Sequence, residues 1–324
     1  MSSNSNIIKL LQLLEQETDE SNILTIPQIQ KRLMAKGIHD GLDRRTLGEQ
    51  MKTLTDCGYD ISSYAENHKG YYFLRTHCFE DCEIRFLIDS VATSMSIPNA
   101  QRADLITKLT KLHSKKFKGA LAGVQFLSEN FVQNPELFLN IELVEEAINK
   151  HRQLELSSCN WGSDKNLHPN YGGKRFTVNP YKMVVQNQKY YLICNYEGHE
   201  ALSHIRLDRM MGVSITEKIA ATCMLDWRGY VTEHPFMYSG KSEHATLCIS
   251  CDIIGDVLDT FGADVTFTNK QAETVNITLK ANSQALAYWA VQYGTKCEVL
   301  TPPALRKTVA EMAQTIVKKY TQQD

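Results

Sequence analysis

Three helical segments precede two short β-type runs within the first 77 residues, and this order constrains the fold more than any other feature. Residues 6–16 carry leucines at helical spacing. A second segment follows Thr25, a good N-cap, and ends at Gly37, a favourable C-terminal stop. The third segment follows another N-cap, Asp43, and runs to residue 54. The chain therefore begins with a small helical domain.

The two β-type runs, residues 59–64 and 70–74, flank a polar turn at residues 65–69. Three helices followed by a hairpin is the order of a winged helix-turn-helix, whose third helix enters the major groove of DNA. The residues that we predict to contact DNA are Arg44, Arg45, Thr46, Gln50, Lys52, His68 and Lys69. The alternative is a helical mini-domain with a solvated arginine pair, because many three-helix units bind nothing.

Charge gives no support for nucleic-acid binding by the chain as a whole. The net charge is −2, and the first 77 residues hold nine Lys and Arg residues against ten Asp and Glu residues. Glu49 also lies on the third helix. DNA binding therefore requires that the positive residues cluster on one face. The competing hypothesis is an interaction protein whose winged helix docks a protein partner without binding DNA.

Other classes of protein are disfavoured. The apolar runs are far shorter than the ~20 residues that span a bilayer, and the polar N-terminus lacks a secretory signal pattern. We therefore expect a cytoplasmic protein with no membrane partner. The chain has no Gly-rich phosphate loop, His-Glu-x-x-His or Gly-x-Ser-x-Gly motif, so we predict no enzymatic activity. Cys248 and Cys251 have the spacing of half a zinc site only, and we expect neither metal nor cofactor.

The rest of the chain changes pattern twice. After a helical stretch with a basic segment at residues 102–118, short strands follow at the density of a small β-barrel, and then strands and helices alternate. We predict an α+β multidomain protein with four parts. These are a winged helix-turn-helix (1–77), a helical linker or dimerisation region (78–140), a β-barrel ligand-sensing domain (141–220) and an α+β C-terminal domain (221–324).

Several motifs beyond residue 173 resemble the WYL-domain transcriptional regulators. Residues 174–184, 190–193 and 204–210 look like the core of a WYL domain (KRFTVNPYKMV, YYLI and HIRLDRM). The naming Trp-Tyr-Leu triplet here begins with Tyr190. Motifs similar to the family's C-terminal WCX-type extension follow at residues 234–240, 259–262, 289–294 and 300–303 (HPFMYSG, DTFG, WAVQYG and LTPP). Residues 42–47 (LDRRTL) are similar to the start of the recognition helix in their winged domains.

The resemblance implies an Sm/SH3-like β-barrel in the middle of the chain, a ferredoxin-like C-terminal domain and a homodimer. It also implies a regulator of a double-stranded DNA operator that senses an anionic effector, a nucleotide or a nucleic-acid fragment. The dimer interface is left open between the apolar face of residues 84–95 and the C-terminal domain.

The ligand-binding residues that we predict are Tyr181, Tyr190, Tyr191, His204, Arg206 and Arg209. Positions i and i+2 of a strand share a face, so His204 and Arg206 point the same way. Guanidinium groups bind phosphate bidentately, and tyrosine rings stack bases. At most one tyrosine of the adjacent pair lines a given face. The alternative is that residues 206–209 form internal salt bridges and that the tyrosines belong to the core.

Overall fold

The computed structural model describes residues 3–19, 22–38, 42–62, 66, 68, 70–73, 79–112, 132–225, 227 and 229–321. The chain divides into two compact units, residues 1–131 and 132–324. Within the described ranges, no helix combines the length and the apolar character needed to cross a bilayer. The four predicted domain boundaries remain a prediction.

The N-terminal unit begins with three helices, α1 (Ser3–Glu17), α2 (Ile26–Ala35) and α3 (Arg44–Asp56). A two-stranded antiparallel sheet follows, formed by β1 (Ile61–Ser62) and β2 (Tyr72–Phe73). The leucines of α1 pack with apolar residues of α2 and α3 in one buried cluster. This matches the predicted order of helices and strands, while the winged helix-turn-helix itself stays a prediction.

A backbone bridge joins the segment before α2 to the small sheet. The Leu24 and Tyr71 amides each donate to the other's carbonyl oxygen at 2.8 Å. Gly70 allows this approach, because a Cβ at that position would lie 2.6 Å from the Leu24 carbonyl oxygen. The bridge therefore fixes the start of α2 against the strand that follows the turn.

Two further helices, α4 (Asp81–Ala92) and α5 (Asn99–Lys111), complete the described part of this unit. They share a small core around Ile84, Ile88 and Ile106. The predicted basic helix is seen only as far as Lys111, because residues 113–131 lie outside the described residues. Arg102 does not belong to a basic surface, since it is 4% exposed and donates to the Ser94 and Ile97 carbonyls at 2.7 and 2.9 Å.

The second unit opens with α6 (Leu137–Asn149), which packs on an antiparallel sheet. The sheet contains β3 (Arg152–Trp161), β4 (Leu167–Pro169), β5 (Phe176–Gln186), β6 (Lys189–Tyr196), β7 (Ser203–Arg206) and β8 (Met210–Ile219). Strand order is β4-β3-β5-β6-β7, and β8 pairs with β3. A single 3-10 turn, Leu207–Arg209, separates β7 from β8. The Sm/SH3-like barrel remains a proposal.

The final part of the chain has the order β-α-β-β-α-β, followed by a last helix. Its elements are β9 (Ser242–Ser250), α8 (Ile254–Phe261), β10 (Thr266–Thr268), β11 (Thr274–Asn282), α9 (Ser283–Tyr293), β12 (Cys297–Thr301) and α10 (Pro303–Thr321). A short helix, α7 (Tyr230–Glu233), precedes them. The strands form an antiparallel sheet in the order β10-β11-β9-β12. This chain order is that of ferredoxin-like folds.

Candidate functional site

One face of β6 and β7 collects positive side chains. Tyr191 on β6 is paired directly with Arg206 on β7, and residues that face each other across an antiparallel pair share a side of the sheet. Lys189 lies two residues before Tyr191 and therefore points to the same side. The turn after β7 adds Asp208 and Arg209 next to this face. We call Lys189, Arg206 and Arg209 the cationic cluster.

In the part of the chain that the structure describes, one carboxylate, Asp208, pairs with two of the three cations of the cluster. Asp208 is 7% exposed and accepts from Arg206 Nε at 2.9 Å and Nη2 at 2.7 Å. Lys189 Nζ lies 3.8 Å from the same carboxylate. The Arg209 guanidinium makes one long contact, 3.4 Å to Asn160 Oδ1, and its Nε has no hydrogen-bond partner among the described residues. The predicted internal salt bridge therefore exists, but it leaves positive charge in excess.

Burial raises the free energy of keeping Lys189 and Arg209 charged when no anion is bound beside them. Burial lowers the pKa of Lys189, and the neighbouring Arg206 and Arg209 lower it further against the pull of Asp208. Burial and the nearby Arg206 also lower the pKa of the Arg209 guanidinium. Burial raises the pKa of the Tyr191 hydroxyl, so this tyrosine stays neutral beside the cations. A bound anion would relieve the repulsion among the three cations.

Two buried asparagines hold the turn that carries Arg209. Asn140 on α6 is 1% exposed, and its amide donates to the Leu207 and Met210 carbonyl oxygens at 3.0 and 3.1 Å. Asn134 donates to the same Met210 oxygen at 2.9 Å. These bonds fix both ends of the 3-10 turn, so the first helix of this unit positions the cationic cluster.

We expect Asn140→Leu to destabilise the protein by about 1–3 kcal/mol, because it removes a donor from a buried carbonyl oxygen. The Asn134 amide still reaches Met210, so the loss falls on Leu207. Urea unfolding of the full chain measures the change, with Asn166→Leu on the exposed tip between β3 and β4 as the matched control. An unchanged unfolding midpoint for Asn140→Leu would show that the asparagine does not hold the turn.

Most of the sequence motifs lie within two known domains. The WYL domain family model matches residues 140–215, and the WCX domain family model matches residues 242–317. The chain therefore contains a WYL domain followed by a WCX domain. Its cationic cluster lies inside the WYL domain, and the β-α-β-β-α-β part of the fold carries the WCX domain.

Among solved structures, the chain is similar to proteasome accessory factor B/C (PafBC) of Arthrobacter aurescens, with 17% identity and a TM-score of 0.28. That match covers 99% of this chain and 49% of the PafBC chain, so this chain spans about half of PafBC's length. A CRISPR Cas-related protein matches with 14% identity and a TM-score of 0.36, covering 99% of this chain and 92% of that one. A comparison with curated proteins finds no match.

The structure separates the three predicted tyrosines of the WYL domain. Tyr191 lies on the cationic face, where it packs against a small cluster of Ile193, Tyr230 and Met237. Tyr190 packs instead with the core between α6 and the sheet. Tyr181 donates a hydrogen bond to Asn195 Oδ1 at 2.9 Å and makes no polar contact with the cluster. Tyr191 is therefore the tyrosine that remains in the proposed site, and Tyr181 and Tyr190 are not brought to it.

His204 shares the face of Arg206 but is engaged elsewhere. Its Nδ1 lies 3.0 Å from the Met237 carbonyl oxygen, which can only accept, so this nitrogen carries a proton. Its Nε2 lies 2.8 Å from the Tyr230 hydroxyl, which donates to it. Tyr230 in turn stacks on His234 at 4.1 Å between ring centroids. His204 therefore ties β7 of the WYL domain to the segment before the WCX domain, and we leave it out of the proposed phosphate contacts.

We expect acid to weaken this connection. Burial, together with the nearby His234, lowers the pKa of His204 below its ordinary value of 6.5. The unfolded chain therefore takes up the proton first, and the stabilisation present above pH ~6.5 is lost as the pH falls below that value. Urea unfolding at pH 7.5 and at pH 5.5 measures the loss, which we expect to be smaller in His204→Gln. Equal acid sensitivity of the two proteins would contradict this prediction.

The N-terminal unit presents some of the predicted DNA-binding residues and hides one. Arg44, Arg45 and Lys52 are exposed, although Arg45 Nε lies 3.2 Å from Glu49 Oε1. Thr46 is half-buried, and its hydroxyl donates to the Asp43 cap at 2.8 Å. Gln50 is only 7% exposed, so it cannot reach a base edge and we remove it from the set. His68 is exposed, and Lys69 lies outside the described residues.

Sequence reasoning missed Lys189, Asn134 and Asn140. Lys189 could have been found, because the period of a strand places it on the face of Tyr191. The two asparagines gave no local signal, since the carbonyl oxygens that they bind lie more than sixty residues further along the chain.

Proposed function

We propose that this protein is a DNA-binding transcriptional regulator whose WYL domain binds a negatively charged effector. The observation that carries the proposal is the cationic cluster, in which Asp208 pairs with Arg206 and Lys189 while the half-buried Arg209 guanidinium has no carboxylate partner among the described residues. Guanidinium groups bind phosphates through parallel hydrogen bonds. Tyr191 on the same face offers a ring for a base. A nucleotide or an oligonucleotide supplies both groups.

Three features of the N-terminal unit support the DNA-binding half of the proposal. Asp43 caps α3 through bonds from the Arg45 and Thr46 amides at 2.8 and 2.9 Å, so the helix begins with both arginines exposed. Arg44 borders a groove of about 500 Å³ between the start of α2 and Tyr71. Cations beside a helix N-terminus suit a DNA phosphate. The proposed set is Arg44, Arg45, Thr46, Lys52, His68 and Lys69.

A salt titration of duplex binding tests this proposal. Fluorescence anisotropy of the full chain against DNA from upstream of its own gene should show a log–log slope of about −0.9 per phosphate contact. With about three contacts, the affinity falls on the order of 40-fold between about 50 and 200 mM salt. Absence of duplex binding with and without an added oligonucleotide would favour the alternative, a winged domain that docks a protein.

We also propose that the regulator acts as a homodimer. A two-fold dimer places two α3 helices about 34 Å apart on successive turns of DNA. The operator would then be an inverted repeat, and protection of a DNA footprint by the purified protein would show its symmetry.

A further inference from the structure

A groove of about 510 Å³ lies at the far end of the WYL sheet, where β5 begins and β6 ends. The cationic cluster lies beside the start of β6. The groove lies at the other end of this strand, where Tyr196 lines it. Tyr191 and Tyr196 also point to opposite faces, because their positions differ by an odd number of residues. The groove is therefore a separate surface from the proposed effector site.

Three aromatic rings form the floor and wall of this groove. Phe176 contacts Tyr171 and Tyr196 in edge-to-face arrangements, with ring centroids 5.5 and 5.4 Å apart. Tyr171 is 76% exposed, so most of its ring is open to solvent. Its backbone adopts φ +54°, a left-handed conformation that is uncommon for a bulky residue. The fold therefore presents the Tyr171 ring to solvent.

Two positive side chains border the rings. Lys174 Nζ lies 5.4 Å from the Phe176 ring centroid and, in the part of the chain that the structure describes, has no carboxylate partner. Arg175 Nε lies 3.0 Å from Glu155 Oε2, and its Nη2 donates to Ser214 Oγ at 3.0 Å. Both side chains extend from the residues that directly precede Phe176.

A glycine leaves room for the Arg175 guanidinium. Gly212 on β8 has φ +60°, and a Cβ at this position would lie 2.9 Å from Arg175 Nη1. Glu197, a carboxylate that lines the groove, is paired with Lys218 at 3.0 Å. The groove therefore combines one exposed ring and two half-buried rings with the Lys174 ammonium, which has no carboxylate partner among the described residues, and the Arg175 guanidinium, which Glu155 and Ser214 hold in position.

We propose that this groove is a second binding site, which takes a nucleobase on the Tyr171 ring and its phosphate on Lys174 and Arg175. Every base has a π-face that stacks on an aromatic ring without sequence preference. A proline-rich peptide would also suit the rings but would leave Lys174 without a counterion, so the charge favours a nucleotide. The ligand is either a free nucleotide or one unit of a single strand.

The test uses full-length protein in which Arg206→Ala and Arg209→Ala disable the cationic cluster. Anisotropy of fluorescein-labelled dT12 should still report binding, and Tyr171→Ala should weaken it on the order of 10-fold, as expected for loss of one stacked base. Tyr171→Phe keeps the ring and should bind normally. Tyr320→Ala removes a tyrosine that is 84% exposed elsewhere in the same unit and serves as the matched control. Displacement of dT12 by AMP would identify a free nucleotide, and no displacement would identify a strand.

Three results would overturn the proposal. One is loss of all dT12 binding when the cationic cluster is disabled. Another is equal binding by Tyr171→Ala and Tyr320→Ala. The third is displacement of dT12 by a proline decapeptide. The first result would place dT12 binding at the cationic cluster, whereas the other two do not bear on the effector site, because the cluster is already absent from the protein under test.

Discussion

Replacing Arg206 and Arg209 together with alanine should weaken binding of inorganic pyrophosphate on the order of 10²-fold or more. Each charge-assisted hydrogen bond contributes about 1.5–3 kcal/mol, and the variant removes two guanidiniums from the cationic cluster. The remaining Lys189 is then free to pair fully with Asp208, from which it lies 3.8 Å away. Isothermal titration calorimetry of the full chain measures the loss.

Pyrophosphate is the suitable probe because it has charge but no base. Its binding should be unaffected by Tyr171→Ala, which acts on stacking in the second groove. Lys150→Ala is the matched control, since Lys150 is an exposed cation of the same unit that caps the end of α6 and pairs with Glu146 on that helix. Retention of wild-type pyrophosphate affinity by the double variant would show that the arginines serve only the internal salt bridge with Asp208.

The stability of the double variant must be measured beside its affinity. Arg206 and Asp208 are mostly buried, and removal of one partner from a buried ion pair can destabilise a protein strongly. Arg206→Lys keeps a positive charge but loses the two-pronged contact with the carboxylate. A folded Arg206→Lys protein with weakened pyrophosphate binding would attribute the loss to the guanidinium and not to unfolding.

Replacing Arg44 and Arg45 with alanine should weaken duplex binding on the order of 10²-fold at low salt. A good base contact contributes about 1–3 kcal/mol, and each lost phosphate contact reduces the salt slope by about 1. We expect a smaller effect of Arg45→Ala alone, because Arg45 already pairs with Glu49 at 3.2 Å and is not fully available. Fluorescence anisotropy with the same duplex at two salt concentrations measures both quantities.

The matched control for this experiment lies in the same unit. Arg85→Ala removes a cation that pairs with Asp89 at 2.7 Å on α4, outside the three-helix domain. Both variants change the net charge of the chain in the same direction. Equal loss of duplex binding by Arg85→Ala and by the Arg44→Ala, Arg45→Ala protein would contradict the assignment of α3 as the recognition helix.

Local sequence pattern predicted most of the elements and failed where the chain departs from ideal geometry. The helices near residues 44, 283 and 303 begin where their caps or prolines place them. Pro180 would be expected to interrupt a strand, yet β5 continues through it, because a bulge between Pro180 and Lys182 lets the pairing with β6 continue past the proline. The sequence also shows no sign of how far β3 extends, since its last residues pair with β4 and not with β5.

The candidate site was predictable to the extent that it follows from strand period. The two-residue period of a strand predicted that Arg206 and His204 share a face. The choice between Tyr190 and Tyr191 required the register of β6 against β7, which the sequence does not give. Gln50 was misassigned even though it lies three residues from Leu47 and four from Leu54, the spacing of a buried helix face. The engagement of His204 with Met237 and Tyr230 depends on contacts some thirty residues away, which no local pattern contains.

We expect an anion bound at the cationic cluster to control DNA binding, and one titration measures this coupling. The dinucleotide pdTdT is added to a complex of the full chain with labelled duplex DNA, and anisotropy follows the bound fraction. We expect pdTdT to shift the duplex affinity of the wild type several-fold in either direction. The Arg206→Ala, Arg209→Ala protein should bind the same duplex without any shift. Two results would contradict control by the cationic cluster. One is an equal shift of duplex affinity in both proteins. The other is no shift in the wild type while calorimetry shows pdTdT bound at the cluster.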